Sequence, residues 1–237
     1  MNSEEKDSLQ GISERSLYSV GIMPDAMRYC FRILKRFLRQ GSVLEMGPAE
    51  GVMTEQLVSL GLPLTVVEGS GLFCEDLRKR FPALRVVHAL FEDFEPEQPF
   101  ANVVMGHVLE HVQDPVSLLK KVRNWMTNDG VVFCAVPNAR SLHRQAATMM
   151  GLLPKEDALN ALDLHHGHRR VFTPETLRNV FYEAGFRIEV FGGYFLKPIS
   201  NGQIESNWTP EMVDAFLQLG ERYPDIAGEI YVVATTC

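Results

Sequence analysis

The sequence predicts a doubly wound α/β fold: a mostly parallel sheet of seven strands, an antiparallel C-terminal edge hairpin and a lid insertion. Three observations predict it. From about residue 41, short β-branched runs alternate with stretches whose apolar residues recur at helical spacing. That alternation means parallel strands covered by helices on both faces. The first run leads straight into a glycine loop, Glu45-Met46-Gly47-Pro48-Ala49-Glu50-Gly51, and then a helical stretch. One long interruption, residues 137–170, breaks the rhythm before it resumes, and a stretch of that length within a compact domain is usually functional.

Taken in order, residues 1–15 are polar and read as a tail. From Pro24 to Arg39, Met27, Phe31, Leu34 and Leu38 recur every three or four positions, which predicts a helix with Pro24 in its first turn. Residues 1–40 are thus expected to be a tail and a helix covering the site, and 41–237 the main domain. Its strands are expected at 42–46, 64–68, 84–88, 101–105 and 130–136. Helices fall between them at 52–60 (stopped at Gly61), 71–80 and 114–126, the last with Pro115 in its first turn. The lid, at about 139–170, holds four of the seven histidines. A helix at 174–184, between Pro174 and Gly185, precedes a strand at 186–195. A helix near 210–221, part of an expected pair, precedes the closing strand at 229–235.

Composition narrows the function. At 237 residues the chain suits one domain, or at most two small ones, and its 46% hydrophobic and 22% charged content is that of a globular protein. No apolar run approaches the ~18 residues that suggest a membrane span, and the polar start does not read as a secretory signal. A net charge of −7 repels phosphate backbones, so no nucleic-acid partner is expected. Cys30, Cys74, Cys134 and Cys237 form no CxxC pair, which fits a reducing, cytoplasmic setting.

In an open α/β sheet, ligands bind outside the carboxyl ends of the strands. Gly47 and Gly51 allow a tight turn there, and Glu68, ending the second strand, can accept hydrogen bonds from a ribose diol. A dinucleotide site wants three glycines around a pyrophosphate. Here two glycines are flanked by Glu45 and Glu50, whose charges oppose a pyrophosphate and suit a cation. A plain structural turn would show the same glycines.

At this point the residues resemble a family. VLEMGPAEG, residues 43–51, is similar to motif I of class I S-adenosylmethionine-dependent methyltransferases, and Glu68 matches their acidic ribose-binding residue. VMGHVLEHVQDP, residues 104–115, and RRVFTPETLRNVFYEAGF, residues 169–186, resemble the branch with ubiquinone-biosynthesis and natural-product methyltransferases. The resemblance implies a Rossmann-like fold that binds S-adenosylmethionine and releases S-adenosylhomocysteine. Its expected cofactor contacts are Glu45, Gly47, Gly51, Glu68, Gly69, Phe91, Gly106 and His107. Two positions depart from the family pattern. Ala49 stands at the middle glycine of motif I, and Leu90 stands where an Asp usually meets the adenine amine.

Methyl transfer needs donor and acceptor aligned, and sometimes a base. His111, then His168, then His107 are the candidate bases: the segment after strand 4, which carries His107 and His111, borders the methyl donor in the resembled family, and His168 could approach from the lid. His111 could equally do no more than bond backbone. Asp163-Leu164-His165-His166-Gly167-His168-Arg169-Arg170 could be a metal cluster, an acceptor-gripping lid or a solvated turn. Zinc-like pair spacing is absent, so no metal is expected. Asn138, His165, Arg169 and Arg170 are the expected acceptor contacts, and Tyr18 and Arg28 could cover the cofactor. The expected function is methyl transfer to an oxygen or nitrogen of a small soluble acceptor, sugar-like or natural-product-like. The rivals are a nicotinamide-dependent oxidoreductase and a non-catalytic cofactor-binding subunit.

Overall fold

The computed structural model describes Gly11 and residues 19–236. Apart from Gly11, the expected tail lies outside the described residues, as do Tyr18 and Cys237. The first described helix, α1 (Met23–Leu34), leads to β1 (Val43–Met46), α2 (Val52–Val58), β2 (Leu64–Glu68), α3 (Gly71–Arg80), β3 (Arg85–His88) and β4 (Phe100–Gly106). Then come α4 (Pro115–Asn124), β5 (Met126–Pro137), α5 (Leu142–Met149), α6 (Ala161–His165) and α7 (Pro174–Glu183). The chain goes on through β6 (Phe186–Tyr194), α8 (Asn201–Asn207), α9 (Pro210–Leu219) and β7 (Glu229–Thr236).

The seven strands lie in the order β3-β2-β1-β4-β5-β7-β6. Strands β1 to β5 pair in parallel, whereas β7 is antiparallel to both β5 and β6. The expected edge hairpin is therefore present, with its second strand on the inside. Strand order reverses between β1 and β4, which opens a crevice at their carboxyl ends.

All four residues of β1 are buried, as befits a strand covered on both faces. One core joins Leu44, Val103 and Val132 to Leu119 of α4 and to Leu177 and Phe181 of α7. The other joins Val43, Val104 and Phe133 to Ile33 of α1, Leu57 of α2 and Leu217 of α9. Successive strand residues thus go to opposite cores, as the two-residue strand period requires.

Several elements differ from expectation for local reasons. α1 ends at Leu34, not Arg39, because Arg36 and Phe37 donate to Ile33 and Leu34 in tight turns. Asn102 then catches the backbone of Arg39, accepting its N–H at 2.7 Å and donating to its carbonyl at 2.9 Å. The final helix stops at Leu219 and gives way to a 3-10 turn at Gly220–Arg222. A Cβ on Gly220 would lie 2.3 Å from the Phe195 nitrogen, so only glycine lets that turn pass the end of β6. The lid is folded. α5 and α6 lie within it, and Asn160 caps α6 by accepting from Leu162 and Asp163. Buried Arg144 ties the two helices together, donating to Asp163 at 3.1 Å and to the carbonyls of Glu156 and Ala158.

Candidate active site

The crevice between β1 and β4 is a cleft with about 1310 Å³ of empty space, its solvent-filled mouth included. Its floor is the glycine loop. Gly47 (φ +62°), Ala49 (φ +47°) and Gly51 (φ +74°) all adopt left-handed backbone. Gly51 starts α2 and does not line the cleft. Ala49 keeps the left-handed turn, a conformation that L-residues other than glycine adopt at a cost of roughly 1–2 kcal/mol.

Two carboxylates stand on the floor. Glu68 accepts the Ser70 N–H at 2.7 Å and the Ala49 N–H at 3.2 Å, which binds the end of β2 to the loop. Burial still pushes its carboxyl above the usual range, against those hydrogen bonds. Burial pushes Glu45 up to about 8, and one of its carboxylate oxygens is buried with no hydrogen-bond partner among the described residues. Gly69, Phe91 and Gly106 also line the cleft, as do Leu90 and Glu92. Glu92 went unforeseen in the sequence, because nothing separates one acidic residue of an acidic loop from its neighbours. Met27 of α1 lines the cleft too, whereas Arg28 points to solvent and pairs with Asp25 at 3.1 Å.

The loop after β4 forms the other wall. His107, at φ +59°, lies between two carboxylates: Nδ1 is 3.3 Å from Glu110 and Nε2 is 3.7 Å from Glu229 at the start of β7. Its Nε2 is also 3.5 Å from the Tyr194 hydroxyl. Burial opposes the charge on this imidazole, but Glu229 and Glu110 outweigh burial and raise it to about 9. Burial would raise Glu110, yet His107, His111 and His168 together lower it to about 2. The two carboxylates thus favour the charged form of His107, which is the poorer acceptor of a proton.

His111 differs. It lines the cleft, and burial lowers it to about 4, so it is neutral at pH 7. His168 stands behind it, off the cleft, 3.4 Å from Asp163. Glu110, His111 and His168 offer donor atoms that all lie within 4.8 Å of one another, close enough to share an ion; no other such group occurs among the described residues.

The expected acceptor contacts are not gathered together. Asn138 is buried away from the cleft. Its amide donates to the carbonyls of Asp225 and Ala227, and its oxygen accepts from Arg140. His165 is half-buried against His166, with ring centroids 5.5 Å apart. Arg169 lines the cleft. Arg170 does not: its guanidinium donates to the carbonyls of Leu109, Val112 and Gln113. Asn138 and Arg170 thus serve the backbone, because each lies where loop carbonyls need donors.

Comparison with known proteins agrees with this geometry. A family profile described as a methyltransferase domain matches residues 23–189. The ubiquinone biosynthesis O-methyltransferase of Actinobacillus pleuropneumoniae serotype 5b (strain L20) is 25% identical over 169 residues, covering 67% of this chain and 70% of that protein. A methyltransferase structure from Thermotoga maritima, described as a possible histamine N-methyltransferase, aligns with a TM-score of 0.68 at 18% identity, over 97% of this chain and 100% of that one. The glycopeptide N-methyltransferase MtfA, in complex with S-adenosylmethionine, aligns with a TM-score of 0.59 at 17% identity, over 87% and 86%. No described helix is long and apolar enough to cross a membrane. With a Rossmann-like sheet, a glycine-loop cleft at its switch point and a family match over most of its length, the chain belongs to the methyltransferase-domain family and is a class I S-adenosylmethionine-dependent methyltransferase.

Proposed function

We propose that the chain methylates an oxygen or nitrogen of a small soluble acceptor, sugar-like or natural-product-like, with His111 as general base, in the cytoplasm. The observation that carries this reading is the lining of one cleft at the switch point of the sheet. The carboxyl groups of Glu45 and Glu68 and the imidazole of His111, held toward its neutral form by burial, all line it. The buried state of the three described cysteines fits a reducing compartment.

The floor fits S-adenosylmethionine. A Cβ on Gly47 would come within 3.3 Å of Val108 and 3.4 Å of Phe91, so glycine keeps that space clear. The partnerless oxygen of Glu45 can accept from a cationic donor group, and Glu68 can accept from a ribose diol at the end of β2. Gly69, Phe91, Gly106 and His107 complete the wall around the cofactor. When bound, the cofactor supplies the activated methyl group. The protein does the rest. Arg169 and His111 border the space left for the acceptor, and His111 accepts the acceptor's proton at a ring nitrogen.

The direct test measures S-adenosylhomocysteine release with panels of sugars, phenols and amines as acceptors. A hydroxyl or amine compound that drives release supports the reading. Release driven only by nucleic acid or by a protein acceptor overturns it.

A further inference from the structure

Five consecutive carbonyls, from Leu109 to Gln113, each accept a hydrogen bond from one of two adjacent arginines at the end of the lid. Arg170 Nη1 donates to Leu109 at 3.2 Å and to Val112 at 2.5 Å, and its Nη2 donates to Gln113 at 2.9 Å. Arg169 donates its backbone N–H to Glu110 and its Nε to His111, both at 2.8 Å. The receiving stretch is the turn between β4 and α4, which belongs to no helix or strand. In a helix those carbonyls would be satisfied four residues on; here they depend on donors from elsewhere.

We infer that Arg169 and Arg170 are positioning residues, a clamp that holds the turn carrying His107, Glu110 and His111 and so aims His111 across the cleft. This rests on the reading of His111 as the base. Three features single out this role over gripping an acceptor. Arg170 is off the cleft and both its terminal nitrogens already serve carbonyls. Arg169 lines the cleft, but its Nε is turned to the His111 carbonyl. Guanidinium is also the side chain suited to the task, since its planar fork presents several donors at fixed angles. The clamp further makes the lid and the catalytic turn one unit, because Asp163 holds Arg144 of α5 and also faces His168, which is packed against His111.

The test reads the ring signal of His111 in histidine-labelled protein with S-adenosylhomocysteine bound, at one pH, assigned by its loss in His111→Asn. In Arg170→Ala the signal should shift and broaden, and millimolar guanidinium chloride should bring it back to the wild-type position. Arg170→Lys keeps the charge but offers a single point of donation, so its signal should fall between the two. An unmoved His111 signal in folded Arg170→Ala overturns the clamp. If that variant does not fold, a wild-type signal in Arg170→Lys overturns it. Full turnover by His111→Asn with the shift in Arg170→Ala intact would overturn the base and leave the clamp standing.

Discussion

The rings of His111 and His168 meet edge to face, with centroids 4.8 Å apart and planes at 83°. One comes from the turn after β4 and the other from the lid, so the lid's fold fixes the surroundings of the candidate base. His168 also faces Asp163 at 3.4 Å. Its own charge would oppose one on His111, in the same direction as burial.

His111→Asn should therefore keep cofactor affinity and lose turnover by about 10²- to 10⁴-fold, the usual contribution of a general base. The sign of the pH dependence follows from the lowered value. The base form prevails above about 4, so kcat/KM for the free enzyme should rise through that pH and be flat from there toward neutrality. Steady-state rates across that range check it. A limb near the ordinary histidine value would remove His111 from the role.

Glu68→Ala should weaken S-adenosylhomocysteine binding by roughly 2–4 kcal/mol, from the loss of charge-assisted hydrogen bonds to the ribose. Part of the loss will come through the loop, because Glu68 also accepts the Ala49 N–H. Calorimetry measures the total, and unchanged affinity would end the ribose assignment.

Ala49→Gly should stabilise the protein by about 0.5–1 kcal/mol. Relief of a left-handed alanine outweighs the added freedom of an unfolded glycine. A higher Tm in the cofactor-free protein is the expected readout, and a lower one would mean that the methyl packs usefully.

Glu45 makes the cofactor-free protein sensitive to alkali. Its folded value, about 8, lies above its ordinary 4.5, so the folded state binds the proton more tightly. This contribution is full below about 4.5, falls as pH rises, and is gone above about 8. Glu45→Gln should flatten that part of the stability profile, as thermal melts at stepped pH would show.

Dialysis against EDTA should leave turnover unchanged. The Glu110 carboxylate already faces His107 at 3.3 Å, and in the proposed function His111 works as a free base rather than as a metal ligand. Activity lost to chelation and restored by a divalent metal would instead make Glu110, His111 and His168 an ion site.

What was legible in the sequence was what local pattern encodes. Gly47 and Gly51 marked the loop because left-handed turns favour glycine, and Glu68 stood out by ending an apolar strand. What was hidden depends on partners far along the chain. Nothing near His107 announces Glu229, which the sheet order brings to it, so His107 read as a candidate base and lies between two carboxylates that favour its charged form. Arg169 and Arg170 read as acceptor ligands because an isolated basic pair gives no hint of which carbonyls lie opposite. α8, the other helix of the expected pair, was given no bounds because its seven residues, NGQIESN, bury only Ile204 and show no apolar stripe.

The position of β7 inside the sheet has a consequence for assembly. Until that strand slots in, β5 and β6 each expose an open edge able to pair with another chain, and the carboxylate of Glu229 is missing from beside His107. Closing the sheet and completing the charged wall of the cleft are thus a single event. A lesion anywhere in the β6–β7 hairpin should appear at once as aggregation and as loss of the charged wall of the cleft, even though the glycine loop lies three strands away.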